Sequence, residues 1–295
     1  MTIGGRGPGG SASQEVTMAV LFALLASACG GTADFVGGIA SRRLPSVVVV
    51  AASQSAGLVV ILAVALVTRP VSAHPGQLVW AVAAGVGMVL GLVAFYSALS
   101  VGTMGVVAPV SALGVLVPVL WGVVHLGEVP SGLAVAGAVL GIAGVVLASG
   151  PELTDRLAAR PIVLAAFSGI GFGSATAFIG EAADGGIVWT VVILKVTIVV
   201  LSVPVLGRRR RTLADVPRRW LAGVVLSIGV VDVAGTLLLA HATTLGLVSL
   251  VGVVASLYPV FTVLLAQWML RERMLPAQQL GALVAFAGVA LLGLA

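Results

Sequence analysis

The chain has 295 residues, of which 60% are hydrophobic and only 8% charged, with 39 glycines and a net charge of +5. A soluble domain carries about a quarter charged residues and cannot hide so much apolar surface in one core, so this composition calls for a lipid bilayer as solvent. The positive balance does not indicate nucleic acid, because the arginines sit in short breaks between apolar runs, and the lone Cys29 excludes a disulfide framework or a thiolate metal cluster.

A flexible N-terminal tail is expected over residues 1–16. Residues 17–29 have the apolar core of a signal peptide, and Ala26-Ser27-Ala28-Cys29 is close to a lipoprotein cleavage site. The run stays apolar to Ala40, however, which is long enough to cross a membrane and favours a retained first span. A spanning helix needs roughly 20 apolar residues. On that measure the spans lie near 17–39, 45–67, 77–99, 103–124 and 131–149, then 161–181, 187–206, 219–241, 246–269 and 276–295. The breaks between them hold turn formers or arginines: Arg42-Arg43 before Pro45, Arg69-Pro70, Gly102, Gly127-Glu128, a linker over 150–160, Asp184-Gly185, the Arg208–Arg211 run, Gly246 and Arg271-Glu272-Arg273.

An offset of 144 residues superimposes the second half on the first without gaps from the third span to the fifth. Glu128 falls on Glu272, Gly102 on Gly246, Gly137 on Gly281 and Gly144 on Gly288. The expected fold is therefore all-α and integral to the membrane, with ten transmembrane helices as two five-helix repeats over 17–149 and 161–295. A chain that crosses five times begins its second half on the opposite side, so the repeats are inverted, an arrangement recurrent in secondary transporters with a site between the halves near the midplane. Twelve arginines lie in alternate loops on one side, against two on the other; the positive-inside rule places the twelve in the cytoplasm and both termini outside. Fourteen of the fifteen basic residues are arginine and asparagine is absent. That bias suggests a GC-rich bacterial genome, and so a bacterial plasma membrane.

The stretch Ser256-Leu-Tyr-Pro-Val-Phe-Thr-Val-Leu-Leu-Ala-Gln-Trp-Met-Leu-Arg-Glu-Arg resembles the repeat signature of the drug/metabolite transporter superfamily, EamA type. Val115-Leu-Val-Pro-Val-Leu-Trp-Gly-Val-Val-His-Leu-Gly-Glu128 is a looser copy, and Gly30-Gly-Thr-Ala-Asp-Phe-Val-Gly-Gly-Ile-Ala-Ser-Arg-Arg43 is similar to the first-helix end of many bacterial members. The resemblance implies an exporter, importer or exchanger that works without ATP hydrolysis. It names no substrate, because the superfamily handles amino acids, nucleotide-linked sugars, sugar phosphates, amines and drugs. No phosphate-cradling G-x-x-x-x-G-K-[ST] is present, and Lys195 is the only lysine.

Charge inside a span is costly and reads as functional by default. Lys195 and Asp232 sit some 16–20 Å from one face on adjacent antiparallel spans, at about 1.5 Å per residue. They are either a self-neutralising ion pair that fixes packing or a substrate-facing pair, the ammonium taking an anion and Asp232 a cation or proton. Asp34 is shallower; an interfacial pairing with Arg42 and Arg43 is slightly favoured over a gate or a proton-coupling carboxylate. Gln54 is mid-span and its amide needs partners. Tyr96, Ser174, Thr176, Ser256 and Tyr258 complete the candidate pathway, with the caution that membrane hydroxyls mostly bond back to their own helix. Glu181 is expected to be solvated, and Glu128 and Glu272 to cap loops. Pro109, Pro118 and Pro259 are expected to bend the fourth and ninth spans and free carbonyls to line a cavity. Gly87/Gly91, Gly137/Gly141 and Gly169/Gly173 have the spacing that brings helices close.

His74, His125 and His241 form no ligand-spaced pair, so neither a metal nor a catalytic site is expected, nor any cofactor. The reading is a secondary transporter of a small polar or amphipathic metabolite, exporting or exchanging it by alternating access. Its expected partners are that substrate, the bilayer, a coupling proton or ion, and a second copy in a homodimer. A non-transporting scaffold or channel and an intramembrane enzyme are the alternatives.

Overall fold

The computed structural model describes residues 8–69, 74–101, 107, 110–148, 159–208, 218–270 and 276–293. Helices α1 (Pro8–Ser41), α2 (Ser46–Thr68), α3 (Pro75–Val101), α4 (Leu116–Val124) and α5 (Gly132–Ala148) form the first half, with a 3₁₀ turn over Leu113–Val115 leading into α4. The second half holds α6 (Ala159–Ala183), α7 (Ile187–Arg208), α8 (Arg218–Leu245), α9 (Val248–Ala255), α10 (Tyr258–Leu270) and α11 (Pro276–Gly293). Since α9 and α10 share one crossing, the described residues make ten helical spans.

Six helices are individually long and apolar enough to cross a membrane, and shorter apolar helical stretches cover Val110–Val124, Gly132–Gly144 and Val248–Thr262. The helices form because a bilayer leaves every backbone polar group to be satisfied within its own segment. Hydroxyls obey the same constraint: Thr32, Ser41, Ser55, Ser97, Thr197 and Ser202 each donate to the carbonyl four residues back. Val59, Leu66, Val79, Val163, Trp268 and Leu283 face outward on the lipid side.

Turn chemistry sets the breaks. Arg69 ends α2 in a left-handed conformation, φ 43°, donating its N–H to Ala65 O. Gly127 (φ 67°) and Gly186 (φ 126°) take the positive φ that glycine adopts without strain. The tail expected over 1–16 is helical from Pro8. Pro259 does not bend a continuous helix: the ninth span breaks at Ser256–Leu257, and Pro259 sits in the first turn of α10, where its missing N–H has no intrahelical partner to lose. Pro118 likewise stands in the first turn of α4, after the 3₁₀ turn. Pro109 and Glu272 lie outside the described residues.

The packing carries the two-fold relation of the halves. α3 packs on α6 as α8 packs on α1; α3 meets α7 as α8 meets α2; α2 meets its equivalent α7, and α5 its equivalent α11. Glycines mark equivalent crossings. The 144-residue offset places Gly85 on Gly229 and Gly91 on Gly235. A Cβ on Gly85 would come within 2.9 Å of Leu194 O, and one on Gly229 within 2.8 Å of Gly57 N. A Cβ on Gly91 would meet Phe172 Cδ1 at 2.7 Å, and one on Gly235 would meet Cys29 Cβ at 2.9 Å. Gly288 of α11 crosses Gly137 and Gly141 of α5 so closely that a Cβ would lie 2.7 Å from Gly137 O.

Glu128 ties the halves together at one end. Its Oε1 accepts the Val248 N–H at 2.7 Å and its Oε2 the Ser249 N–H at 3.1 Å, satisfying the first free donors of α9, whose own N-cap Leu247 supplies no side-chain bond. The carboxylate lies directly over Gly122, so closely that a Cβ there would collide with it. Glu128 thus caps a helix of the opposite repeat, beyond the local loop role expected for it.

The close crossings predict a sharp contrast. A Cβ at Gly171 would meet Gly87 O and Gly91 N, both at 2.7 Å, whereas one at Gly223 meets nothing within 4 Å. Gly171→Ala should cost about 1–3 kcal/mol through overpacking and lower the melting temperature in detergent, while Gly223→Ala should leave it unchanged. Equal melting temperatures for the two would contradict the crossing.

Candidate functional site

A cavity of about 140 Å³ lies between the halves, walled by α1, α2 and α3 and the α4 region on one side and by α6, α8, α9 and the start of α10 on the other. That is room for roughly five waters at liquid density. Small residues line it: Ala26, Gly30 and Ala33 on α1, and Gly169, Gly173 and Gly252, which also pack tightly against the α4 region. Larger groups that face it include Met88, Leu92, Phe172 and Ile228, so most of the wall is apolar.

Of the sequence candidates, Asp34, Gln54, Tyr96, Thr176, Asp232, Ser256, Tyr258 and Pro118 line this cavity. Lys195, Ser174 and Pro259 do not. Ser174 turns toward α3, with its Cβ beside Gly87. Thr176 and Ser256 spend their hydroxyl protons on the Phe172 and Val253 carbonyls, as isolated membrane hydroxyls do.

Lys195 is only 1% exposed, the most buried charged group among the described residues. Its Nζ donates to Gln54 Oε1 at 2.7 Å and is ion-paired to Asp232 Oδ2. Gln54 Nε2 donates to the same Asp232 oxygen at 2.9 Å. The three side chains close a ring across α2, α7 and α8, and each amide atom of Gln54 faces the partner its polarity requires. This ring places the ammonium behind Asp232 and Gln54, which are the members that reach the cavity. A solute inside therefore meets carboxylate and amide, not the lysine. Asp232 Oδ1 accepts no hydrogen bond from a described residue.

Asp34 lies apart from Arg42 and Arg43, which are exposed in the α1–α2 turn. The residue is 8% exposed, lines the cavity, and its carboxylate makes no hydrogen bond or ion pair with a described residue. The pairing with those arginines is replaced by an unpartnered carboxylate in an apolar wall. Glu181, expected to be solvated, accepts the Trp121 indole N–H at 2.9 Å beside a cluster of Trp80, Trp121, His125 and Phe178.

Several groups escaped the sequence reading. Tyr258 OH donates to Ser111 Oγ at 3.1 Å, and Ser111 shares a 2.7 Å hydroxyl bond with Ser168, linking α10, the segment before α4, and α6. Ser27 lines the cavity with a buried hydroxyl that has no partner. Helical spacing could have found it, since Ser27 stands seven residues before Asp34 on the same face of α1. Ser111 carries no such signal, because its partners are distant in sequence.

The ring predicts how the cluster fails. Lys195→Met leaves the partly buried Asp232 carboxylate with only the Gln54 amide against it and should cost about 1–3 kcal/mol. The double substitution Lys195→Met/Asp232→Asn removes that charge and should regain most of the loss in thermal melts. A double variant no more stable than the single one would show that the ammonium does not act through Asp232.

A model of the EamA-like transporter family matches residues 17–150 and 159–294, one match for each half. No curated protein matches the chain. Among solved structures, one titled only "Crystal structure of protein" is similar over 94% of this chain and 96% of the other, with 21% identity and a TM-score of 0.68, a likeness of fold. Two family matches that together cover most of a ten-span, two-fold membrane bundle identify it: the chain belongs to the EamA-like transporter family and is a multi-pass membrane transporter.

Proposed function

We propose that the chain is a secondary transporter of the bacterial plasma membrane that exports or exchanges a small polar or amphipathic metabolite by alternating access between its two inverted repeats. The observation that carries this is the cavity, which takes its wall from both repeats and holds two carboxylates at its surface. A site shared by two halves changes its access when one half rocks on the other, with the solute seated between them. The broken ninth span, at Ser256–Leu257, supplies a joint beside the cavity. The chain's charge bias favours the arginine-rich loops on the cytoplasmic side. Coupling to a proton or ion gradient would supply the driving force, with Asp34 or Asp232 as the carrier.

Proteoliposomes screened with amino acids, amines, nucleosides and sugar phosphates should show saturable flux of at least one class without ATP. Asp232→Asn and Lys195→Ala should reduce that flux by about tenfold or more, since each breaks the charge-assisted bond that holds Asp232 in place at the cavity wall. Wild-type flux in both variants, with folding intact, would reject a role for the Lys195–Gln54–Asp232 ring in transport. A pH gradient that leaves flux unchanged would reject both carboxylates as proton carriers.

A further inference from the structure

The geometry points to Asp34 as the ligand-binding charge of the cavity, and to the ligand as a small amphipathic monovalent ammonium; this rests on the cavity being the transport site. Two carboxylates face the space, and the protein neutralises one of them itself. Lys195 is committed to Asp232 and Gln54 and does not reach the cavity wall. Asp34 is therefore the one carboxyl of the wall without a counter-charge among the described residues, neutral when the cavity holds no cation and charged against one that binds. An isolated ionised carboxylate in an apolar wall is costly, and a cation bound against it removes that cost. An anion would meet two carboxylates and no accessible ammonium.

The remaining wall fits the rest of such a molecule. Tyr96, Phe172 and Tyr258 line the same wall, and aromatic rings pack against an apolar body while their faces attract a cation. Ser27, 2% exposed and without a hydrogen-bond partner, stands about 10 Å along α1 from Asp34. Gly30, between them, lines the same cavity, with Tyr258 Cβ 3.6 Å from where a Cβ on it would stand. An ammonium at Asp34 and a hydroxyl or carbonyl at Ser27 would satisfy both groups at once. The space, about 140 Å³, is of the order that takes one aromatic ring with a short side chain.

Tyramine has that size and that arrangement of groups. Tyrosol is its neutral isostere, and 4-hydroxyphenylacetate is its anionic counterpart. Titration calorimetry on the purified full chain in detergent should show tyramine binding about tenfold or more tighter than either. Asp34→Asn should weaken tyramine roughly ten- to a hundredfold, the worth of a hydrogen bond to a charged group, and Asp34→Glu should restore part of the loss. Ser27→Ala should weaken tyramine more than phenethylammonium, which lacks the far hydroxyl. The assignment is overturned by tighter binding of the anion, by undiminished tyramine affinity in Asp34→Asn, or by no tyramine binding in a wild-type protein that melts cooperatively. Liposome flux separates this from the transport proposal. Anion flux indifferent to Asp34→Asn would overturn the ammonium assignment and leave transport standing. Asp34-dependent tyramine binding without flux of any compound would do the reverse.

Discussion

A bilayer offers a polar group no partner, and the rest of this structure follows from that. Backbone groups must be satisfied inside each segment, so the described residues fold as helices, and serines and threonines return their protons to the turn behind them. With no water to drive apolar helices together, association rests on close packing. Glycine supplies it at equivalent places in the two halves: Gly85 and Gly229, Gly91 and Gly235. The two-fold relation is thus a property of the contact surfaces as well as of the chain order.

The same constraint explains which polar groups stand out. Lys195, Gln54 and Asp232 answer one another across three helices, and the result is a neutral ring that holds α2, α7 and α8 in register. Glu128 answers the free N–H groups of α9 from the opposite repeat, and Gly122 makes room for it. Asp34 and the hydroxyls of Ser27 and Ser249 remain without partners among the described residues, and of these Asp34 and Ser27 line the cavity. In a solvent that penalises every unpaired polar atom, leaving a carboxylate and a hydroxyl open at one site is informative, because such groups are retained where a ligand completes them.

The break in the ninth span belongs with these features. A continuous helix there would close its own hydrogen bonds and present only side chains to the cavity. Splitting it at Ser256–Leu257 brings Ser256 and Tyr258 to the wall, and Tyr258 then joins Ser111 and Ser168 of the facing elements. The junction therefore sits where the two halves meet, and a small change there would be felt on both sides of the cavity.

Composition and period alone were enough for the bundle. Apolar runs of spanning length and a 144-residue offset ending on Glu128 and Glu272 determine ten spans and two inverted halves, because the bilayer thickness and the oddness of five leave little freedom. Depth along a helix also followed from counting residues, which is why Lys195 and Asp232 could be placed at one level. Counting cannot say which way a side chain turns. Only the tertiary structure decided that Lys195 points behind Asp232 rather than into the cavity, that Asp34 leaves Arg42 and Arg43 for the interior, and that Ser174 turns to α3. It alone revealed Ser27, Ser111 and the Glu128 cap, whose partners lie in other helices. The physical reason is rotation: an apolar helix in an apolar solvent shows almost no amphipathic face, so its azimuth is set by the neighbours it packs against.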